Sequence, residues 1–441
     1  MNILHLSWML GRPAKSRLAP QVLTACAYAM VSAILLIVLG GAYSFTSFSL
    51  EAQSMYLPLA AFAVVLLVVP LLVLGSAAAR LSARSNDRAL SSLRLLGATG
   101  RQISLVAVLQ AAGTALAGAL TGVLLYFLVA PLASMLRFQG APIGSAIYLP
   151  LCMLVIAVVA VVLLSAASAA AGLRKLVITP LAVASRRQVP TPGWLRAVIA
   201  VGGIVVLGLV FANMGQFLQS IAAIIAVVVG GFGFGLLIMN LIGPFLVSKV
   251  GKRKLRKANT PQELLSARMI LESPAESWRQ VSGVAMASFV AVVGGSGAAM
   301  MSMTDDGLSR GTWLEHVPAD VTTGVLVTLA ISFFCVAASA AISQSASTLD
   351  RAELYRGLHR LGMPWATMNA ARTKSIMIPA LTASIGFAIA STVLVLPLAG
   401  AAIIFKPLTV ITVVACVLLG MLLIRGAILV ADPQKLLATR E

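Results

Sequence analysis

The chain has 441 residues, 60% of them apolar and 10% charged, with a formal net charge of +19 and a mean hydropathy of +1.00. This composition excludes a soluble globular domain and predicts a polytopic membrane protein. The charge points to anionic lipid head groups rather than nucleic acid, because basic residues cluster between apolar runs and not on a separate domain.

A bilayer core of ~30 Å takes about 20 apolar residues per helical crossing. Ten windows qualify: 22–46, 57–79, 103–133, 148–172, 195–213, 218–246, 281–303, 321–345, 375–399 and 407–431. The first run, Val22 to Thr46, is too long for a signal-peptide core and is expected to remain as a helix. With the N-terminus inside, the inner segments hold every Lys and Arg except Arg137, Arg310 and Lys406, while the outer ones hold Glu51, Asp305, Asp306, Glu315 and Asp320. That asymmetry predicts cytoplasmic N- and C-termini.

In chain order, an amphipathic stretch from His5 to Ser16 leads into spans one and two, followed by the basic connector Arg80–Arg101. Spans three and four end at the basic linker Arg174–Arg196, and spans five and six at the linker Lys249–Arg279. Within the latter, Lys252–Lys257 is expected to anchor on lipid. Leu265–Ser277 is a second lead-in segment before spans seven and eight; a second connector at Asp350–Met363 precedes spans nine and ten. The glycine runs Gly230–Gly235 and Gly294–Gly297 lie inside apolar spans, where small residues allow close helix packing. Met300, Met301 and Met303 read as lipid-facing or core residues, and Trp313 as an interfacial aromatic.

The two halves repeat. Pro13-Ala14-Lys15-Ser16 returns as Pro274-Ala275-Glu276-Ser277, Asp87-Arg88-Ala89 as Asp350-Arg351-Ala352, and Leu96-Gly97-Ala98 as Leu361-Gly362-Met363, at offsets of 261, 263 and 265. The predicted fold class is therefore all-α: ten transmembrane helices in two parallel four-helix repeats joined by a two-helix linker. The expected divisions are 1–172 for the first unit, 173–261 for the linkers and central spans, 262–432 for the second unit, and 433–441 for a cytoplasmic tail.

Each connector reads as a short interfacial helix. In the first, Leu90, Leu93 and Leu96 recur at a spacing of three, and the segment closes at Gly97-Ala98-Thr99-Gly100. In the second, Leu354, Leu358 and Leu361 alternate with Arg356, His359 and Arg360 before Gly362 and Pro364. At these residues the chain resembles the FtsX-like permease family of ABC transporters, the MacB-type architecture. The stretch from Asp87 to Ile103 is similar to the family's Arg-Glu-x-x-Leu-x-x-Leu-Gly-Ala-Thr connector, and Glu353–Met363 is a second copy without the Ala-Thr. The ten-span, two-unit layout is similar to that of the bacitracin-resistance class.

The resemblance implies that these connectors are coupling elements seated on a separate ATPase dimer. The candidate residues are Arg84, Asp87, Arg88, Leu93, Arg94, Leu96, Gly97 and Ala98 in the first, and Asp350, Arg351, Glu353, Leu354, Arg356, Leu361, Gly362 and Met363 in the second. It also implies a bacterial cytoplasmic-membrane location, with ATP and Mg bound by the partner; two units and two connectors in one chain make one permease copy per ATPase dimer the expectation. Family members usually carry a sizeable extracytoplasmic domain; here the outer loops 47–56, 134–147 and 304–320 are short.

No Gly-rich phosphate loop ending in Gly-Lys-Ser or Gly-Lys-Thr occurs, so this chain is expected to bind no ATP by that device. No Asp or Glu falls within the ten windows; apart from Arg196, which ends the basic linker at the edge of one window, Arg425 is the one clear charge, close enough to an end to snorkel. Gln110 in span three reads as an interhelical hydrogen-bonding group. Cys26, Cys152, Cys335 and Cys416 lie in separate spans, and His5, His316 and His359 are scattered, so no metal or catalytic set emerges. The expected function is export or extraction of an apolar or amphiphilic substrate: a lipid, a hydrophobic drug, an antimicrobial peptide or haem. The alternative is a regulatory membrane subunit driven by the same kind of ATPase.

Overall fold

Each of the ten apolar windows overlaps an α-helix in the computed structural model, which describes residues 18–95, 99–177, 194–213, 221–301, 313–350, 352–405 and 407–430. These helices are α1 (Leu18–Ser44), α2 (Leu50–Leu95), α3 (Gly100–Ser134), α4 (Leu151–Val177), α5 (Trp194–Ala212), α6 (Ile221–Arg256), α8 (Pro274–Met301), α9 (Val317–Asp350), α11 (Trp365–Phe405) and α12 (Pro407–Val430). Two shorter helices, α7 (Pro261–Glu272) and α10 (Ala352–Arg360), complete the set. Among the described residues, eight stretches are long and apolar enough to cross a membrane: Thr24–Ser47, Leu50–Ala79, Gly100–Ser134, Gly144–Ala170, Val227–Arg256, Pro274–Gly297, Trp313–Gln344 and Trp365–Leu396. The chain is a multi-pass membrane protein.

Several helices outrun the bilayer. α2 has 46 residues, about 69 Å at 1.5 Å per residue, so part of it must project beyond the apolar core. Its C-terminal portion is the expected first connector, which continues the second span as one helix instead of forming a separate element. No Gly or Pro stands between Ser76 and Leu95 to break it, and its Ala, Leu and Arg content favours continuation.

The structure separates into two compact units. The first comprises Met1–Phe48, Leu74–Leu136 and Pro142–Gln188, and the second Ser49–Val73, Arg137–Ala141 and Val189–Glu441. Thus α2 contributes Leu50–Val73 to one unit and its remainder to the other.

In the first unit α1 packs on α3, α3 on α4 and α1 on α4. The α1–α3 approach depends on Gly118 and Gly122, spaced four apart so that they stack on one face. A Cβ at Gly118 would lie 2.5 Å from the Tyr28 Cβ, and one at Gly122 would lie 2.6 Å from both Ala29 O and the Ser32 Cβ. Polar bonds reinforce the seam. The Tyr28 hydroxyl bonds Ser165 Oγ at 2.7 Å, and Ser165 donates to Ala111 O at 3.2 Å, which links three helices in turn. Tyr126, fully buried, donates to Ile147 O at 2.8 Å and accepts from the Leu149 N–H at 3.0 Å, fixing the loop before α4. Gly122→Leu is expected to push α1 from α3 and cost about 2–3 kcal/mol, seen as a lowered melting temperature of the detergent-solubilised protein. Gly113→Ala, with nothing within 4 Å of the new methyl, should leave it unchanged; equal melting of the two variants would refute the close-packing account.

The second unit is built around α8. Every residue from Val281 to Gly294 is buried, and α8 is covered by α6, α9, α11 and α12. A helix apolar all round and enclosed on all sides is a core element. The α8–α11, α11–α12 and α8–α12 contacts reproduce the three pairings of the first unit. The glycine runs serve packing at some positions: a Cβ at Gly231 would meet Phe211 at 2.6 Å, and one at Gly294 would meet Val325 at 2.9 Å, whereas Gly230 and Gly297 have open space. Trp278 is 2% exposed, donates its indole N–H to Asn240 Oδ1 at 2.8 Å, and lies over Gly243, where a Cβ would stand 2.0 Å from the ring.

Candidate functional site

The second connector is a discrete helix with a defined end. α9 runs to Asp350 and α10 to Arg360. Gly362 sits at φ +90°, a conformation that favours glycine, and the Met363 N–H reaches back to Leu358 O at 3.1 Å to satisfy a terminal carbonyl. Pro364 then precedes α11, and the His359 ring packs against Trp365 with centroids 4.8 Å apart. This brace fixes the angle between α10 and α11.

α10 is amphipathic, with its outward residues laid bare. Tyr355 is buried, while Leu354 is 55% and Leu361 85% exposed, and Arg356 and Arg360 are exposed too. Leu354 and Leu358 line a groove of about 420 Å³ whose other wall is α7, through Leu265, Arg268, Met269 and Leu271. An apolar, open surface flanked by arginines on short, braced helices can seat a partner element; it holds no catalytic set.

α7 is the second lead-in segment, and its sequence explains its start. Thr260 accepts from the Glu263 N–H at 3.3 Å, and Pro261 occupies the first helical position. Ile270 and Ala267 are fully buried, and Gly251 of α6 lets Ile270 and Leu271 approach within about 3 Å of where a Cβ would stand. An exposed Lys374–Glu263 pair at 3.8 Å adds little. The basic cluster sits in the last turn of α6, where Arg253, Lys254 and Arg256 face the negative end of the helix dipole.

At the first connector, Thr99 caps α3: its hydroxyl accepts from the Gln102 N–H at 3.4 Å while the Gln102 side chain accepts from the Thr99 N–H at 3.0 Å. The threonine of the Gly-Ala-Thr motif therefore starts the third helix. Residues 77–181 match the family model described as FtsX-like permease C-terminal. The FtsX-like resemblance read from Asp87–Ile103 is thus shown for this segment, which spans the end of α2, α3 and α4. FtsX-like permeases generally pair with an ABC ATPase and are non-enzymatic membrane subunits. No curated protein matches the chain.

The candidate residues distribute unevenly. Arg84, Asp87, Arg88, Leu93 and Arg94 are on the helical backbone of α2, and Leu96, Gly97 and Ala98 lie outside the described residues. In the second connector, Asp350 ends α9 and Glu353 is in α10. Leu354, Arg356, Leu361, Gly362 and the half-buried Met363 share one short stretch, and Arg351 lies outside the described residues. The first lead-in segment, His5–Ser16, also lies outside, as do Asp305, Asp306 and Met303.

Two charges just outside the hydropathy windows are buried inside helices. Asp320 is in the first turn of α9, 6% exposed, and accepts from the Tyr56 hydroxyl and from the Gln139 N–H at 2.8 Å. Gln139 and Gly140, at φ 53° and 75°, form the tight turn between the strands β1 (Arg137–Phe138) and β2 (Ala141–Pro142). Arg372 is in α11, 3% exposed, and donates from Nη2 to Ile428 O at 3.1 Å in the last turn of α12. The windows open at 321 and 375, just past these residues. A span measured by apolar content stops at a charge, whereas a helix continues through one that finds a buried hydrogen-bond partner.

Proposed function

We propose that the chain is the permease subunit of an ABC transporter that exports or extracts an apolar or amphiphilic substrate, a lipid, hydrophobic drug, antimicrobial peptide or haem, through the bacterial cytoplasmic membrane. The observation that carries this reading is the exposed apolar face of α10 beside the α7 groove, at the place where a connector copy recurs from the segment matched to FtsX-like permeases. ATP and Mg belong to the partner ATPase, and both connectors meet one ATPase dimer, so one permease copy serves each dimer. The two units, with matching helix pairings, are repeats that rearrange when the dimer closes, and the termini lie on the ATPase side. Short links between the described helices, such as the stretch from Met135 to Pro150, favour a substrate that enters from the bilayer.

The test is reconstitution of the full chain with a candidate ABC ATPase from the same genome, in vesicles carrying fluorescent phospholipid, a cationic amphiphilic dye or haem. ATP-dependent redistribution of at least one probe is expected. Stimulated hydrolysis with no redistribution of any probe would instead favour a regulatory subunit driven by the same ATPase.

A further inference from the structure

Two cavities in the second unit share a wall. One is the groove between α7 and α10. The other, about 30 Å³, is lined by Gln280 of α8, Gln344 of α9, and Arg372 and Ser375 of α11, among others. Met269 and Tyr355 line both. Tyr355 is 5% exposed on a helix whose neighbouring residues Leu354 and Arg356 are exposed, so among the described side chains of α10 it is the buried one that enters the interior.

The small cavity is polar, with room for about two water molecules. Gln344 donates to Gln280 at 3.2 Å across α9 and α8, and Ser375 donates to Arg372 O at 2.7 Å. Arg372 extends the set to α12 through Ile428 O. Close-packed apolar surfaces elsewhere around α8 resist displacement. Amides, hydroxyls and a guanidinium around a hydratable space exchange hydrogen-bond partners at small cost, because water replaces whichever bond is broken. A shift of the Tyr355 ring at this wall therefore changes which of these polar groups pair across α8, α9 and α11.

We infer that Tyr355 is a positioning residue that passes displacement of α10 to α8, α9 and α11, and through Arg372 to the end of α12. The inference rests on α10 being the element that the ATPase contacts. It separates docking from transmission: Leu354 and Leu361 seat the partner, and Tyr355 reports its movement inward.

The experiment uses the full chain in lipid nanodiscs with a candidate ABC ATPase from the same genome. Cys26, Cys152, Cys335 and Cys416 are replaced by alanine and Ser375→Cys is introduced as a reporter for a small methanethiosulfonate reagent. Labelling at this position should change by roughly tenfold between the nucleotide-free and vanadate-trapped complexes, the scale of ordinary allosteric coupling. Tyr355→Ala should abolish that change while ATPase affinity stays within about twofold. Tyr355→Leu, which keeps an apolar anchor against α7, should do the same and serves if the alanine variant does not fold. A nucleotide-dependent change that persists in these variants, its absence in the parent reporter, or loss of ATPase binding with the substitution each overturns the inference. Failure of the unsubstituted chain to bind the ATPase fails the functional reading instead, and the separate binding measurement distinguishes the two.

Discussion

Replacing Leu354 and Leu361 together with aspartate should weaken ATPase binding by roughly a hundredfold and leave the melting temperature of the permease unchanged. The two leucines are 55% and 85% exposed, so their removal opens no cavity in the chain itself. Burying such a side chain against a partner contributes about 1.5–3 kcal/mol, and each 1.4 kcal/mol is a factor of ten in affinity. Aspartate also brings a charge that the interface would have to desolvate. Co-elution of the purified chain with the candidate ATPase, together with stimulated hydrolysis, reads the effect. Undiminished binding would remove α10 from the docking surface, and a large drop in melting temperature would show that the leucines stabilise this chain.

Gly243→Val should prevent the second unit from folding. A Cβ there would stand 2.0 to 2.3 Å from three atoms of the Trp278 indole. The ring has no free direction to move: its N–H is bonded to Asn240, Phe387 lies 5.3 Å away centroid to centroid, and the side chain is 2% exposed. Overpacking a well-filled site costs about 1–3 kcal/mol and more when the obstructing group is locked, so the expected loss lies at or above the top of that range. Folded yield and thermal melting in mild detergent measure it. Gly230→Val, at a site with nothing within 4 Å, is the matched control and should behave as the parent. Parity between the two variants would contradict the packing described for α6 and α8.

Much of this architecture is readable from one sequence because lipid imposes a simple rule: each crossing must be a long apolar helix. Hence each of the ten windows overlaps a helix, and eight stretches among the described residues are long and apolar enough to cross. The spacing of Leu354, Leu358 and Leu361 and the stop at Gly362 also appear as read, because amphipathic period and left-handed glycine are local properties. Long-range complementarity was not legible. Nothing local marks Gly243 as the floor beneath Trp278, or Gly118 and Gly122 as the seam against α1. Their environment comes from residues far away in the chain. Tyr355 escaped notice for a related reason: next to Leu354 and Arg356 it looks like one more amphipathic residue, and only the cavities on its two sides set it apart.

The enclosure of α8 has a consequence for how the protein is made. Its stretch Pro274–Gly297 is the least apolar of the eight candidate spans and the most enclosed by protein, with 83% of its most apolar window buried. A nascent helix leaving the translocon for lipid is held there by its own apolar surface, and α8 has the least to offer. Three of its four packing partners, α9, α11 and α12, follow it in the chain and are synthesised later. Stable integration of α8 is therefore a late event in biogenesis, and in ribosome-bound chains truncated after α8 a cysteine placed in this helix should stay reactive to a water-soluble thiol reagent until the helices that enclose it have emerged.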